Sequence, residues 1–315
     1  PKPTVRNVMQ TRTEKTMEAY NKRASQILKR YKEEKGLHDS VINIPELGEW
    51  LLALRRTVCA NTWRLYRSSI LNADITKEID KDNELYEILN RDNETFEKTE
   101  PRKEYRRAKY CSYEDAQKMK EYFLAKGMES TFNYFMASCC TGLRPHEWNS
   151  ATYIENEEDY TLIIKNGKNT NGRSHGEERT IHISKSEIEC VYFIKKHMEF
   201  MYELTKDCEN HEEINHELKK LDERIKKQFQ NMNKDIFHER KRRIQRYTAR
   251  HTAAADFKAA GFTKWEVAAL MGHGDKDTAG EHYGRKGSGN TKSPKAIKAD
   301  EKDVTAVKCR SPDLI

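Results

Sequence analysis

Apolar residues along this chain recur mostly at intervals of three and four, a spacing that predicts a largely helical protein. Over residues 13–35, Met17, Tyr20, Ala24, Ile27, Leu28 and Tyr31 share one face. Lys, Arg and Glu fill most of the other face, and Gly36 is a natural stop. Leu47, Trp50, Leu51 and Leu54 form the stripe of a second helix over 45–58. Asn61-Thr62 caps a third, whose Trp63, Tyr66, Ile70 and Leu71 repeat at helical spacing. A shorter helix is predicted over 83–90. The pattern then fades over 91–110, where Pro101 and a mixture of charges read as an exposed linker.

Helical spacing returns at Ser112 and runs to Gly127. A second helix over 130–141 is apolar on most sides and therefore reads as buried. Gly142 ends it, Arg144 stands at the junction, and Pro145 suits the start of the next element. The runs YTLIIKNGK and RTIHIS are rich in β-branched residues around a polar turn, which predicts a β-hairpin. Another helix spans 185–204. Residues 205–246 are densely charged, with Ile214, Leu218, Leu221 and Ile225 at helical spacing, and read as a long exposed or coiled helix. Two amphipathic segments fill 245–283. From Gly287 onward the chain is rich in Gly, Ser, Lys and Asp and reads as a flexible tail with a short apolar patch over 304–307.

The expected organisation is a helical N-terminal domain over 1–95, a linker over 96–110 and a mixed α/β domain over 111–290. The second domain would carry a charged helical insertion near 205–246, and a tail would follow over 291–315. The fold class is mainly α with a small β-sheet. Composition adds a direction. Lys and Arg exceed Asp and Glu by 58 to 51, a formal net charge of +7, which is compatible with a polyanionic partner. Arg55, Arg56, Arg64 and Arg67 cluster at the second and third helices, and Arg106 and Arg107 lie in the linker; all six suit contacts to DNA phosphates. No apolar run reaches eighteen residues, so no membrane span is expected, and the first residues lack the apolar core of a signal peptide. Seven scattered cysteines suit a reducing cytoplasm better than a disulfide framework, and they read as small apolar side chains. Cys208, His211 and His216 are close in sequence but lack an identifiable fourth ligand, so no metal is expected.

The candidate chemistry is concentrated in 245–283. Arg250-His251 opens one amphipathic segment, Met271-Gly272-His273 closes the next, and Tyr283 follows ten residues later. Upstream lie Thr141-Gly142-Leu143-Arg144 and, at the hairpin, Lys168, with Lys165 as its competitor on the same strand. In this order and spacing the motifs resemble the tyrosine recombinase (phage integrase) family over roughly residues 107–285. The resemblance implies a helical core-binding domain and a catalytic domain that close as a C-shaped clamp on double-stranded DNA. It also implies a homotetramer on specific recombination sites, with the C-terminal patch docking on a neighbour.

By the same resemblance Arg144 and Arg250 would clamp the scissile phosphate, Lys168 would protonate the departing 5′-oxygen, His273 would bond a phosphate oxygen and Tyr283 would attack. The chemistry explains the grouping. A phenol with a reference pKa of about 10 needs help to react as phenolate. Guanidiniums, always charged and fork-shaped, suit the extra charge of a pentacoordinate phosphorane. The phosphotyrosyl bond retains the energy needed for rejoining, so no cofactor is implied. One position departs from the family. Three residues before Arg250, where histidine or lysine is usual, stands Tyr247, which is suited to position the phosphate but not to act as a base at neutral pH. Other outcomes share this chemistry, namely a hairpin telomere resolvase or a type IB topoisomerase. A DNA-binding regulator without catalysis is the non-enzymatic alternative.

Overall fold

The architecture comes from a computed structural model that describes residues 14–37, 41–91, 106–167, 169, 174–278, 280, 283, 287, 289–290 and 296–308. The chain divides into two compact units, Pro1–Glu104 and Tyr105–Ile315. It is mainly helical with two small sheets.

The first unit contains five helices: α1 (Glu14–Lys35), α2 (Ile44–Arg55), α3 (Ala60–Ile70), α4 (Asp74–Ile79) and α5 (Glu84–Arg91). The stripe read from the sequence is the buried one. Ala24, Ile27, Leu28 and Tyr31 of α1 pack with Leu47, Leu51 and Leu54 of α2, Trp63 and Ile70 of α3, and Leu85 and Leu89 of α5. Asn43 caps α2 by accepting a hydrogen bond from the Glu46 backbone N–H at 3.0 Å, which satisfies a donor that the helix itself leaves unpaired.

The second unit is built around α7 (Glu129–Thr141), which is buried on most sides as its composition predicts. It packs against α8 (Ile188–Thr205) and α10 (Arg246–Ala259), while α6 (Tyr113–Ala125) lies alongside. A 3₁₀ turn, Pro145–Ser150, leads into a four-stranded antiparallel sheet. The sheet contains β2 (Thr152–Glu155), β3 (Asp159–Lys165), β4 (Glu178–Ser184) and β6 (Ile297–Ala299), in the order β2-β3-β4-β6. The predicted hairpin is β3–β4, paired from Asp159↔Ser184 to Lys165↔Glu178. A second sheet joins β1 (Arg106–Arg107) in parallel to β5 (Arg242–Arg243). Among the described residues the remaining helices are α9 (His211–Asp235), α11 (Lys264–Leu270) and α12 (Glu301–Ala306).

Three expectations change. The charged segment 205–246 is not one exposed or coiled helix. Its helical part, α9, buries Leu218, Leu221, Ile225, Phe229 and Met232 in the main core, and the chain then turns into β5. The apolar stripe continues two turns past Ile225, and that extra length makes burial favourable. Residues 296–308, expected as part of a flexible tail docking on a neighbour, are ordered on their own chain. Residues 297–299 add the edge strand β6, and Val304 and Val307 pack with Ala268 and Ala269 of α11. Pairing satisfies the backbone of an otherwise exposed sheet edge, and the valines cover small apolar side chains. Finally, Cys140 and Cys190 form a disulfide between α7 and the first turn of α8, with Cα atoms 5.8 Å apart. No helix among the described residues is long and apolar enough to cross a membrane.

His197 of α8 makes the core sensitive to acid. It is only 2% exposed, wedged edge-on against Trp148 (4.7 Å between ring centroids) and Tyr134 (5.3 Å), and neither ring nitrogen has a hydrogen-bond partner. Burial alone lowers its pKa to about 3. The folded state thus binds this proton less readily than the unfolded chain. The stability contributed by the neutral ring is complete above about pH 6.5 and is lost as pH falls toward about 3. Urea titrations between pH 7 and pH 4 should show stability falling by up to about 1.4 kcal/mol per pH unit from this group. His197→Phe should flatten that slope, and an equally steep slope in the variant would assign the acid sensitivity elsewhere.

Candidate active site

The site forms where the ends of α7, β3, β4, α10 and α11 converge. The left-handed backbone of Gly142 (φ 69°) ends α7, with its N–H donating to the Ser138 carbonyl at 2.9 Å. A Cβ at Gly142 would lie 2.6 Å from Met271 Sδ, so only glycine lets this turn approach α11. The chain then presents Arg144 and, through the 3₁₀ turn that Pro145 opens, Glu147.

Glu147 is a buried carboxylate surrounded by guanidiniums. Its Oε1 accepts from Arg144 Nη1 at 2.5 Å, and its Oε2 accepts from Arg179 Nη2 at 2.7 Å and from the Arg144 backbone N–H at 2.7 Å. Arg250 Nη1 lies 3.9 Å from the same Oε2. Burial works against ionisation, but Arg179, Arg250 and Arg144 outweigh it and hold this carboxyl far below the usual range. Arg179 also donates to the Leu270 carbonyl at 3.1 Å and to Asn166 Oδ1. The sequence reading did not single out Arg179. A signal existed, because strict alternation along RTIHIS puts it on the same buried face as Ile181 and Ile183.

Arg250 is fully buried in α10, a helix whose Ala249, Ala253 and Ala254 permit close packing in the main core. Every nitrogen of its guanidinium is engaged. Nε donates to Tyr283 Oη at 3.1 Å, Nη1 to the Gly142 carbonyl, and Nη2 to the Met271 carbonyl and to His273 Nε2 at 3.0 Å. That last bond makes His273 Nε2 the acceptor and puts the ring proton on Nδ1, a buried atom without a partner among the described residues. Burial first, then the charges of Arg250, Arg144 and Arg179, keep His273 neutral, with its pKa well below the usual value. His175 Nδ1 donates to the His273 carbonyl at 3.1 Å and helps fix the loop. Gly272 has φ 61°, and a Cβ there would strike Asn166 and Arg179.

Tyr283 is half-buried, its ring 5.1 Å from that of His273 and from that of His251. Its hydroxyl lies 3.2 Å from Tyr247 Oη. Burial raises both phenols. For Tyr283 the charge of Arg250 and hydrogen bonds from Tyr247 and Arg250 prevail, and its pKa falls below the usual value. Tyr247 stays above it, because burial dominates and the Tyr283 charge adds to it. The Tyr247 hydroxyl is thus directed at Tyr283 itself. Arg107 lies over the Tyr247 ring at 5.0 Å.

Arg144, Arg250, His273, Tyr247 and Tyr283 are thus brought together. Lys168 lies outside the described residues; its neighbour Gly167 donates its N–H to Glu147 Oε1 at 3.1 Å. In the first unit Arg56 and Arg64 are exposed. Arg55 stacks over Trp63 at 5.8 Å, and Arg67 bonds Asn90 Oδ1, so these two also serve the helical packing. Arg106 and Arg107 are exposed on β1. Among the described residues no three His, Cys, Asp or Glu side chains are grouped to hold a metal ion.

Removing the Glu147 charge should expose how much the cluster depends on it. Glu147→Gln leaves buried guanidiniums without their counter-charge and should lower unfolding free energy by about 3 kcal/mol in urea titrations. A loss below about 1 kcal/mol would mean that the arginines are compensated by other groups.

No family model and no curated protein matches this sequence. Among solved structures, the crystal structure of XerA recombinase is matched at 14% sequence identity over 85% of this chain and 86% of that chain, with a TM-score of 0.37. A likeness of that size carries no argument, and the functional reading rests on the site's own geometry.

Proposed function

We propose that this chain is a site-specific DNA recombinase that breaks and rejoins strands through a 3′-phosphotyrosyl intermediate. The observation that carries this reading is Tyr283, whose hydroxyl is held at 3.1 Å by a buried arginine inside a cluster of excess positive charge. Three guanidiniums (Arg144, Arg179, Arg250) against one carboxylate (Glu147), with His273 neutral, leave a formal charge of three minus one, or +2. A phosphodiester carries one negative charge, and the phosphorane formed when phenolate attacks it carries two. In a low-dielectric site the match favours the transition state over the ground state.

The donors have room for that anion. Arg144 Nε and His273 Nδ1 are buried and without partners among the described residues, and they supply N–H groups for the non-bridging oxygens. Tyr283 Oη forms the new bond to phosphorus, and the bond to the 5′-oxygen breaks. The phenol's proton passes to solvent water as attack proceeds, and the leaving oxygen gains a proton, the role given to Lys168. Tyr247 keeps its own proton and donates to the developing phenolate, a role on the nucleophile that differs from positioning the phosphate. The second unit carries the chemistry, and the first grips double-stranded DNA through Arg56 and Arg64. Assembly as a homotetramer on two recombination sites belongs to the same proposal.

Nicked duplexes of randomised sequence trap the intermediate, because the strand downstream of cleavage diffuses away. Wild type should form a covalent protein–DNA adduct and Tyr283→Phe none; an adduct in the variant would sink the nucleophile assignment. Tyr247→Phe should slow cleavage about tenfold at neutral pH, the worth of one hydrogen bond to a charged group. Because that bond lowers the Tyr283 pKa, its loss should also move the alkaline rise in rate to higher pH. An unshifted profile would show that the Tyr247 hydroxyl does not act on the nucleophile.

A further inference from the structure

The pairing of β1 with β5 aligns four arginines. Arg106 stands opposite Arg242 and Arg107 opposite Arg243, in parallel register. Facing residues of a strand pair project to the same side and successive residues to opposite sides, so Arg106 and Arg242, both exposed, form one pair. On the other side Arg107 donates from Nε to Gln245 Oε1 at 3.1 Å and lies over the Tyr247 ring. Lys109 and Lys241 flank the ribbon and are exposed.

Neither packing nor ordinary surface charge accounts for this arrangement. Like charges directly opposite one another weaken a strand pair, and a two-residue ladder has little to offset that. The solvated faces of α8 and α9 show the usual alternative, with Lys196–Glu199, Lys206–Glu203, Lys220–Glu217 and Lys226–Glu223 paired at three-residue spacing. Residues 240–243 are all basic, with Arg240 paired to Asp115 at 2.6 Å. The ribbon also begins one side chain from the nucleophile, since Arg107 touches Tyr247 and Tyr247 touches Tyr283.

We infer that the β1–β5 ribbon is a phosphate track for the DNA backbone flanking the cleaved bond, with Arg106 and Arg242 as its outer contacts; this rests on the strand-cleavage reading. The occupant is a polyanion with a phosphate on every nucleotide, which meets successive guanidiniums and displaces condensed counterions. A contact of this kind is blind to base sequence, so it can be tested without knowing the recombination site.

Binding of a short duplex of arbitrary sequence is measured by fluorescence anisotropy across a salt series. Replacing both Arg106 and Arg242 with Ser should lower the slope of log affinity against log salt by about two, because two phosphate contacts are lost. The Arg106→Lys, Arg242→Lys pair should keep the wild-type slope, which separates lost charge from lost folding. Lys196→Ser with Lys206→Ser, on α8, makes the same change in net charge and should leave the slope unaltered. An unchanged slope in the serine pair, or an equal drop in the α8 control, would overturn the track. Covalent adduct formation on nicked duplexes reads the cleavage proposal separately. A missing wild-type adduct with a reduced slope in the serine pair rejects cleavage and keeps the ribbon as a nucleic-acid contact.

Discussion

The buried carboxylate of Glu147 is the constraint on which the second unit's arrangement depends. Arg144 and Arg179 bond it directly and Arg250 lies 3.9 Å away, so a single negative charge makes it tolerable to bury three positive ones. The same guanidiniums reach outward to backbone carbonyls at Gly142, Leu270 and Met271 and to the side chain of Asn166. Four stretches distant in sequence are thereby tied at one point: the end of α7, the β3–β4 hairpin, α10 and the end of α11. Two glycines with positive φ, Gly142 and Gly272, allow the approach, because a side chain at either would overlap Met271 or the Arg179–Asn166 pair.

The electrostatic consequence is a site with more positive charge than its own carboxylate neutralises. Such an excess is tolerable because Arg179 and Arg250 are each held by several acceptors at once, which fixes their orientation. The two phenols illustrate how finely position matters. Tyr247 and Tyr283 are neighbours with the same reference chemistry, yet their pKa values move apart: burial and the Tyr283 charge raise Tyr247, whereas the Arg250 charge and the bonds from Tyr247 and Arg250 lower Tyr283. One hydroxyl is thereby the weaker acid and the other the stronger. On the opposite side of Tyr247, Arg107 joins the pair to the basic β1–β5 ribbon, so surface charge and buried charge form a continuous series.

Much of this was legible in the amino-acid sequence by itself. The stripes of α1, α2 and α3, the buried character of α7 and the β3–β4 hairpin follow from periods of 3.6 and 2, which depend only on local geometry. The motifs likewise marked Arg144, Arg250, His273 and Tyr283, which the fold brings together. What the tertiary structure alone decided concerns pairing over distance. Arg179 reads as one more charge on a strand until Glu147 faces it, and the contact of the Tyr247 hydroxyl with Tyr283 emerges only in the fold. Residues 205–246 read as solvated charge until α9 covers the core. Residues 296–308 read as tail until β4 offers an unpaired edge, and Cys140 reads as a small apolar side chain until Cys190 is beside it. The physical reason is common to all of these. Periodicity is set by neighbours within a few residues, whereas the compensation of a buried charge, the pairing of a two-residue strand and the partner of a hydroxyl are set by groups tens to more than a hundred residues away. Such partners acquire meaning only once the chain has folded.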